Sequence, residues 1–171
     1  MKYIFLLQLL ITYSFASITT INNFEADFTQ VVLDEKNKKL TYSGHIRASK
    51  PQYALWEYTQ PIHKSIYIVP GKVTIIEPDL EQAIEKKLQS NFDFFSMLKD
   101  AKKIDKQTYI AKFQNTHFTI LLDNEKLKSI SYSDELDNKV SITFKNQVQN
   151  IKIQESVYRA RIPADYDIIR D

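Results

Sequence analysis

Several short runs of this chain alternate apolar and polar residues with a period of two, and that period constrains the fold more than any other feature. Between residues 40 and 49, Leu40, Tyr42, Gly44, Ile46 and Ala48 share one side, while Thr41, Ser43, His45, Arg47 and Ser49 share the other. Side chains of a strand point alternately to opposite faces, so this run predicts a half-buried strand. Val140, Ile142 and Phe144 alternate in the same way with Ser141, Thr143 and Lys145, Ile151 and Ile153 with Lys152 and Gln154, and Ile130 and Tyr132 with flanking serines. Residues 53–58 and 65–69 are rich in aromatic and β-branched side chains, and "KVTIIEP" (72–78) reads as a further strand. "VPGKV" (69–73) predicts a hairpin turn, with proline fixing one φ and glycine permitting a positive one. "LDNKV" (136–140) predicts a second turn, and residues 108–113 and 117–122 a further hairpin. Together these runs predict a large antiparallel sheet with short connections, one face apolar and the other polar.

Three segments depart from that period. Ile18, Ile21, Phe24 and Phe28 recur at gaps of three and four, which predicts a short docked helix over 18–28. In "DLEQAIEKKL" (79–88), Leu80, Ala83, Ile84 and Leu88 also have helical spacing among good helix formers. "SNFDFFSMLKDAKKI" (90–104) predicts a helix as well. Ser90, Asn91 or Asp93 could cap it, Phe94, Phe95, Met97 and Leu98 form its apolar cluster, and its closing lysines suit the helix dipole.

The N-terminus has the layout of a secretory signal peptide: a basic Met1-Lys2, an uncharged and mostly apolar run from Tyr3 to Phe15, then small Ser14 and Ala16 before a cut between Ala16 and Ser17. The rival reading, an uncut anchor, meets the difficulty that the run is shorter than the roughly 20 apolar residues of a comfortable span. The chain has no cysteine, so Ser17 stands where a lipid-bearing cysteine would be needed, and no disulfide supports the core. Cleavage would leave 171 − 16 = 155 residues, read as one domain over 17–171, with 22 basic residues (23 less Lys2) against 21 acidic ones. Such a balance exerts little electrostatic draw, over the chain as a whole, on nucleic acid or an anionic membrane.

Catalytic patterns are weak. His45, His63 and His117 pair with no second ligand at helical spacing, and the absence of cysteine makes zinc a poor fit. His45 lies on the polar side of its run, which predicts solvent exposure. Glu77 and Asp79 flank Pro78 in what reads as a solvated turn. No G-x-S-x-G elbow is present, and the two glycines cannot make a phosphate-cradling loop. The remaining feature is apolar surface. "YALWEYTQP" (53–61) places the sole tryptophan among tyrosines directly after the alternating run. A filled core would account for it; a sheet covered incompletely by short helices would leave a ligand pocket instead.

Five stretches, "FEADFTQ" (24–30), "YSGHIRASKP" (42–51), "LWEYTQP" (55–61), "PGKVTIIEPDLEQA" (70–83) and "FFSML" (94–98), stand in an order that resembles the LolA family of periplasmic lipoprotein carriers, as does the closing "YRARIP" (158–163). The resemblance implies a mainly β fold with short helices (α+β), an unclosed antiparallel β-barrel with a helical lid over its concave apolar face. It implies no catalysis and no cofactor. The partners it implies are acylated lipoproteins, an inner-membrane ATP-driven release complex, and an outer-membrane receptor lipoprotein or the membrane itself, served by a periplasmic monomer. It also makes residues 82–88 a strand, against their helical spacing, since tertiary pairing overrides local propensity. The acyl-chain cavity expected on this basis comprises Phe24, Phe28, Tyr42, Ile46, Tyr53, Leu55, Trp56, Ile66, Ile68, Phe94, Phe95, Met97, Leu98 and Phe144. Lys50 stands where family members often carry an arginine that latches the lid. By parity it continues the apolar side of residues 40–48; a strand ending at Ser49 would instead put it on a wet rim. Ala54 replaces a bulkier residue two before the tryptophan and thins one cavity wall. Alternatives are another periplasmic hydrophobic-ligand protein of the same fold, such as an outer-membrane receptor or a lipoprotein sensor, a periplasmic hydrolase, or a structural β-domain with a filled core.

Overall fold

The computed structural model describes residues 20–88 and 94–170. Its strands are β1 (Asn23–Leu33), β2 (Lys39–Ser49), β3 (Tyr53–Gln60), β4 (Lys64–Val69), β5 (Lys72–Glu77), β6 (Gln82–Lys87), β7 (Lys102–Lys103), β8 (Thr108–Phe113), β9 (Thr116–Asp123), β10 (Lys126–Ser133), β11 (Lys139–Gln149) and β12 (Asp167–Arg170). They form one 12-stranded sheet in the order β12-β6-β5-β4-β3-β2-β1-β11-β10-β9-β8-β7. All neighbours are antiparallel except β12, which runs parallel to β6. β1 lies in the middle, and β12 and β7 are the two edges, so the sheet is unclosed.

Turn chemistry sets the hairpins. Pro70 and Gly71 join β4 to β5, with Gly71 at φ 77, as its turn requires. The β1–β2 and β10–β11 turns use one device twice. The carboxylate of Asp34 accepts from the N–H groups of Lys36 and Lys38, and that of Asp134 from those of Leu136 and Asn138. In each, a left-handed residue (Asn37, Asp137) completes the turn. Register shifts at Glu25/Asp27, Ser43/Gly44 and Leu127/Ser129 mark irregular pairing that bends the strands.

Directly paired residues share a face, so the register sorts the core. Phe24, Ala26 and Phe28 of β1 lie beside Ile46 and Ala48 of β2, then Ala54 and Trp56 of β3, with Ile142 and Phe144 of β11, Ile130 of β10 and Ile120 of β9 on the other arm. These residues belong to one hydrophobic cluster, onto which α1 (Phe94–Lys99) packs through Phe95, Met97 and Leu98. A second group is buried on the outer face: Leu55, Thr74, Ile76 and Ala83, with Tyr158. Tyr158 comes from a 3-10 turn (Glu155–Tyr158), and its hydroxyl lies 2.7 Å from Ser49 Oγ.

The sequence-based elements need three corrections, and one expectation, the strand over 82–88, holds. The helix expected over 18–28 is strand β1 from Asn23 onward: Phe24, Ala26 and Phe28 alternate with Glu25 and Asp27, and small Ala26 hid that period. Ile18 lies outside the described residues. The helical spacing of 79–88 gives a 3-10 turn (Pro78–Leu80) and then β6, which hydrogen-bonds to β5 and β12, so the strand reading holds there. Of the helix expected over 90–104, the described residues form helix over Phe94–Lys99 and leave it before Asp100, and Lys102–Lys103 form an edge strand; residues 90–93, with the cap candidates Ser90, Asn91 and Asp93, lie outside the described residues. Ile151 and Ile153 are not in a strand, because β11 stops at Gln149 and Asn150 adopts a left-handed conformation (φ 57) that turns the chain away.

Candidate binding cavity

Between α1 and the core face lies a cavity of about 280 Å³. One wall is β3 and β4: Tyr53, Ala54 and Trp56, with Ile68 from the next strand and Gln52 from the turn before. The opposite wall comes from the other arm of the sheet, Phe118 of β9, Ile130 and Tyr132 of β10, and Ile142 of β11. Phe94, Phe95 and Met97 of α1 cover it. The ring of Phe94 stacks on Phe24 at 5.6 Å and meets Phe95 edge-on at 5.3 Å, which ties the helix to the sheet. Beneath, Phe28 stands edge-on to Trp56 (5.1 Å) and Tyr58 (5.0 Å). Tyr58 donates to Gln30 Oε1 at 2.9 Å, and burial pushes its hydroxyl pKa upward.

Among the described residues the lining carries no carboxylate, amine or imidazole, so the surface it presents is mostly apolar. It offers no paired nucleophile and base.

Of the expected cavity residues, Tyr53, Trp56, Ile68, Phe94, Phe95 and Met97 line this space. Phe24, Phe28, Ile46, Leu98 and Phe144 are buried in the cluster around it rather than exposed to it. Tyr42 packs against Tyr58 at 6.0 Å, and Ile66 pairs with Trp56 across β3 and β4 without reaching the lining. Leu55 is corrected: adjacent strand residues face opposite sides, so with Trp56 inward Leu55 is buried on the outer face. Ala54, 4% exposed and opposite Ala48, forms a thin part of the wall. Phe118, Ile130, Tyr132 and Ile142 were missed. Their alternation was visible, but which side of each later strand meets Trp56 depends on register.

β2 ends at Ser49, so Lys50 falls on the rim. Its Nζ donates to Asn22 Oδ1 at 3.2 Å and lies 6.0 Å from the centre of the Phe95 ring. It borders a neighbouring crevice with Ile21, Pro51, Ser96, Leu98 and Lys99, and Phe95 separates this crevice from the cavity.

The outer face holds an ionic cluster. His45 Nδ1 is 2.8 Å from Asp27 Oδ1 and Nε2 is 3.0 Å from Glu25 Oε1, while Arg47 bridges Glu25 and Glu57 at 3.4 and 2.7 Å. His45 is therefore not simply solvated: its side chain is 28% exposed and lies between two carboxylates. The Asn146 amide, followed by His45, holds the Asp27 carboxyl below its usual range. In the Glu77–Asp79 turn, Asp79 pairs with His63 at 3.3 Å and Glu77 accepts from Gln82.

A family model described as "Outer membrane lipoprotein carrier protein LolA" matches residues 19–161. The chain belongs to the LolA family. It is 45% identical over 156 residues to an outer-membrane lipoprotein carrier protein of Campylobacter jejuni, covering 91% of each chain. A protein of the same description from Helicobacter pylori (strain HPAG1) is 35% identical, over 88% of this chain and 81% of that one. In fold, the chain resembles a LolA superfamily protein of Nitrosomonas europaea, with TM-score 0.51 and 9% identity over 82% and 91% of the two chains. An uncharacterized conserved protein of Thermus thermophilus gives TM-score 0.55 at 9% identity over 90% and 93%. The LolA match spans both arms of the sheet and both walls of the cavity.

Proposed function

We propose that this chain is a periplasmic carrier that takes the acyl chains of lipoproteins released from the inner membrane and delivers them to the outer membrane. The observation that carries the reading is an apolar, aromatic-rich cavity under α1 in a LolA-family chain. Burying each methylene contributes about 0.8 kcal/mol, so a dozen contribute about 10 kcal/mol. Lipid bound that firmly does not leave into water at a useful rate. It must pass to another apolar acceptor, either a receptor lipoprotein or the membrane. The family is one of carriers, and the ATP-driven step is assigned to the inner-membrane release complex.

A cavity of about 280 Å³ sits at the lower edge of the roughly 300–1,000 Å³ of small-molecule sites and is too small for several acyl chains. In this reading the structure is the closed state, the core face is the concave apolar face of a half-barrel, and α1 is its lid. A six-residue helix has little stability of its own, so its packed side chains hold it in place and can be displaced by cargo. Lys50, beside Asn22 and Phe95, acts as a rim contact that favours the closed lid. Residues 1–16 serve as the signal peptide and 17–171 as one carrier domain working as a monomer.

The test is to incubate the purified 17–171 protein with inner membranes and ATP and to ask whether lipoprotein co-elutes with it. Emission of Trp56, the sole tryptophan and part of the lining, should shift on loading. Folded protein that collects no lipoprotein refutes the reading.

A further inference from the structure

The β7–β8 edge carries a surface that the cavity does not explain. Residues 99–112 hold Lys99, Lys102, Lys103, Lys106 and Lys112 against Asp100 and Asp105, a local balance of 5 − 2 = +3 in a chain of formal charge +2. All five lysines are exposed. Among them Ile104 is 61% exposed and Ile110 37%. Lys102 pairs with Ile110, and Lys112 is two residues further along β8, so the three share one face of the edge. β7 is a terminal strand and follows α1 after only Asp100 and Ala101. Ion pairs of other lysines and arginines lie elsewhere, at Lys72–Glu85, Arg170–Glu85, Arg47–Glu57 and Lys128–Asp123.

Lysines on an edge strand commonly serve only to discourage edge-to-edge aggregation. Exposed isoleucines between them work against that role. Cations flanking projecting apolar side chains match an anionic bilayer surface, where lysines meet phosphates and the apolar groups enter the headgroup boundary. We propose that the β7–β8 edge docks this protein on anionic membranes, with Lys102 and Lys106 at lipid phosphates and Ile104 in the interface. Because β7 follows directly from α1, docking places the covering helix and the cavity next to the bilayer. The purpose of docking rests on the carrier reading, but the contact itself requires no cargo.

The test uses the cargo-free 17–171 protein and co-sedimentation with vesicles of equal parts phosphatidylglycerol and phosphatidylcholine, or of phosphatidylcholine alone, at low and high salt. The wild type should bind the anionic vesicles, and salt should weaken the binding. Lys102→Gln with Lys106→Gln should lower partitioning about 25-fold, from about fivefold per lysine. Ile104→Ser should lower it about fivefold through lost apolar contact. Lys36→Gln with Lys38→Gln, in the exposed β1–β2 turn, should leave it unchanged. Equal binding to both vesicle types, wild-type binding by the edge variants, or an equal loss in the turn variant overturns the proposal. Retention on immobilised polyglutamate without vesicle binding overturns it too and assigns the edge to an acidic protein. Lipoprotein loading, measured in parallel, separates the two readings: loading without vesicle binding sinks docking alone, whereas wild-type protein that never loads sinks the carrier reading.

Discussion

Replacing Gly44 with alanine should destabilise the sheet, although alanine normally suits a strand better than glycine by about 0.5–1 kcal/mol. Gly44 stands where β2 shifts register against β3 and pairs with Phe28 on its other side. A Cβ there would fall on the carbonyl oxygen of Glu57, 2.9 Å from that residue's carbonyl carbon and 2.8 Å from Phe28 Cζ. The Phe28 ring has little room to yield, since it is 2% exposed and held edge-on between Trp56 and Tyr58. The Glu57 carbonyl can move only with its strand. Overpacking relieved by side chains costs about 1–3 kcal/mol, and a collision with backbone belongs at the upper end, about 3 kcal/mol. With a urea slope of about 2 kcal/mol per molar, the unfolding midpoint should fall by about 1.5 M. Circular dichroism in urea measures it, and Trp56 emission from the same samples reports whether the cavity wall has shifted. An unchanged or raised midpoint would refute the collision and with it the packing of Phe28 against Gly44.

Phe95→Glu puts a carboxylate into the apolar lining, where a charge without a partner is costly, and should abolish lipoprotein loading while the sheet stays folded; normal pick-up by the folded variant would remove α1 from the site. Lys50→Leu deletes the ammonium beside Asn22 and adds apolar surface at the rim, so it should load normally and hand over poorly, whereas Lys50→Arg should transfer nearly as wild type; a paired loading and transfer assay that cannot tell Lys50→Leu from wild type would make Lys50 an ordinary rim lysine. Asp27 has a depressed folded pKa, so its contribution is present above the unfolded value and is lost as pH falls through the folded one; urea midpoints should drop below about pH 4, and less steeply in Asp27→Asn. Gly71→Ala forces a Cβ into a positive-φ turn with open space around it and should cost about 1–2 kcal/mol, read from the same denaturation curves.

Strands with a clear period of two are legible in the sequence, except that the alternation at Ile151 and Ile153 lies beyond the end of β11, and the β4–β5 turn is legible from Pro70 and Gly71. β1 is not, because Ile21, Phe24 and Phe28 mimic helical gaps when Ala26 is counted as neutral. β6 has helical composition and becomes a strand only through its partners on both sides. The same distinction separates the halves of the cavity. Trp56 and the α1 aromatics announce themselves by size and clustering. Ile130 and Ile142 look like any core residues until β10 and β11 are set in register, and Leu55 is next to Trp56 in sequence while the pleat sends it to the opposite face.

β1 pairs on one side with β2, close in sequence, and on the other with β11, where Phe28 meets Phe144 across the whole length of two meanders. Every other antiparallel contact joins strands that follow one another in the chain, so each arm can assemble hairpin by hairpin, and the β1–β11 seam carries the long loop closure that slows folding. Trp56 lies on one arm and Ile142 on the other, so the cavity wall exists only once that seam has closed. The order of assembly therefore withholds the cavity from a half-made chain: neither arm alone supplies the two facing walls that enclose it.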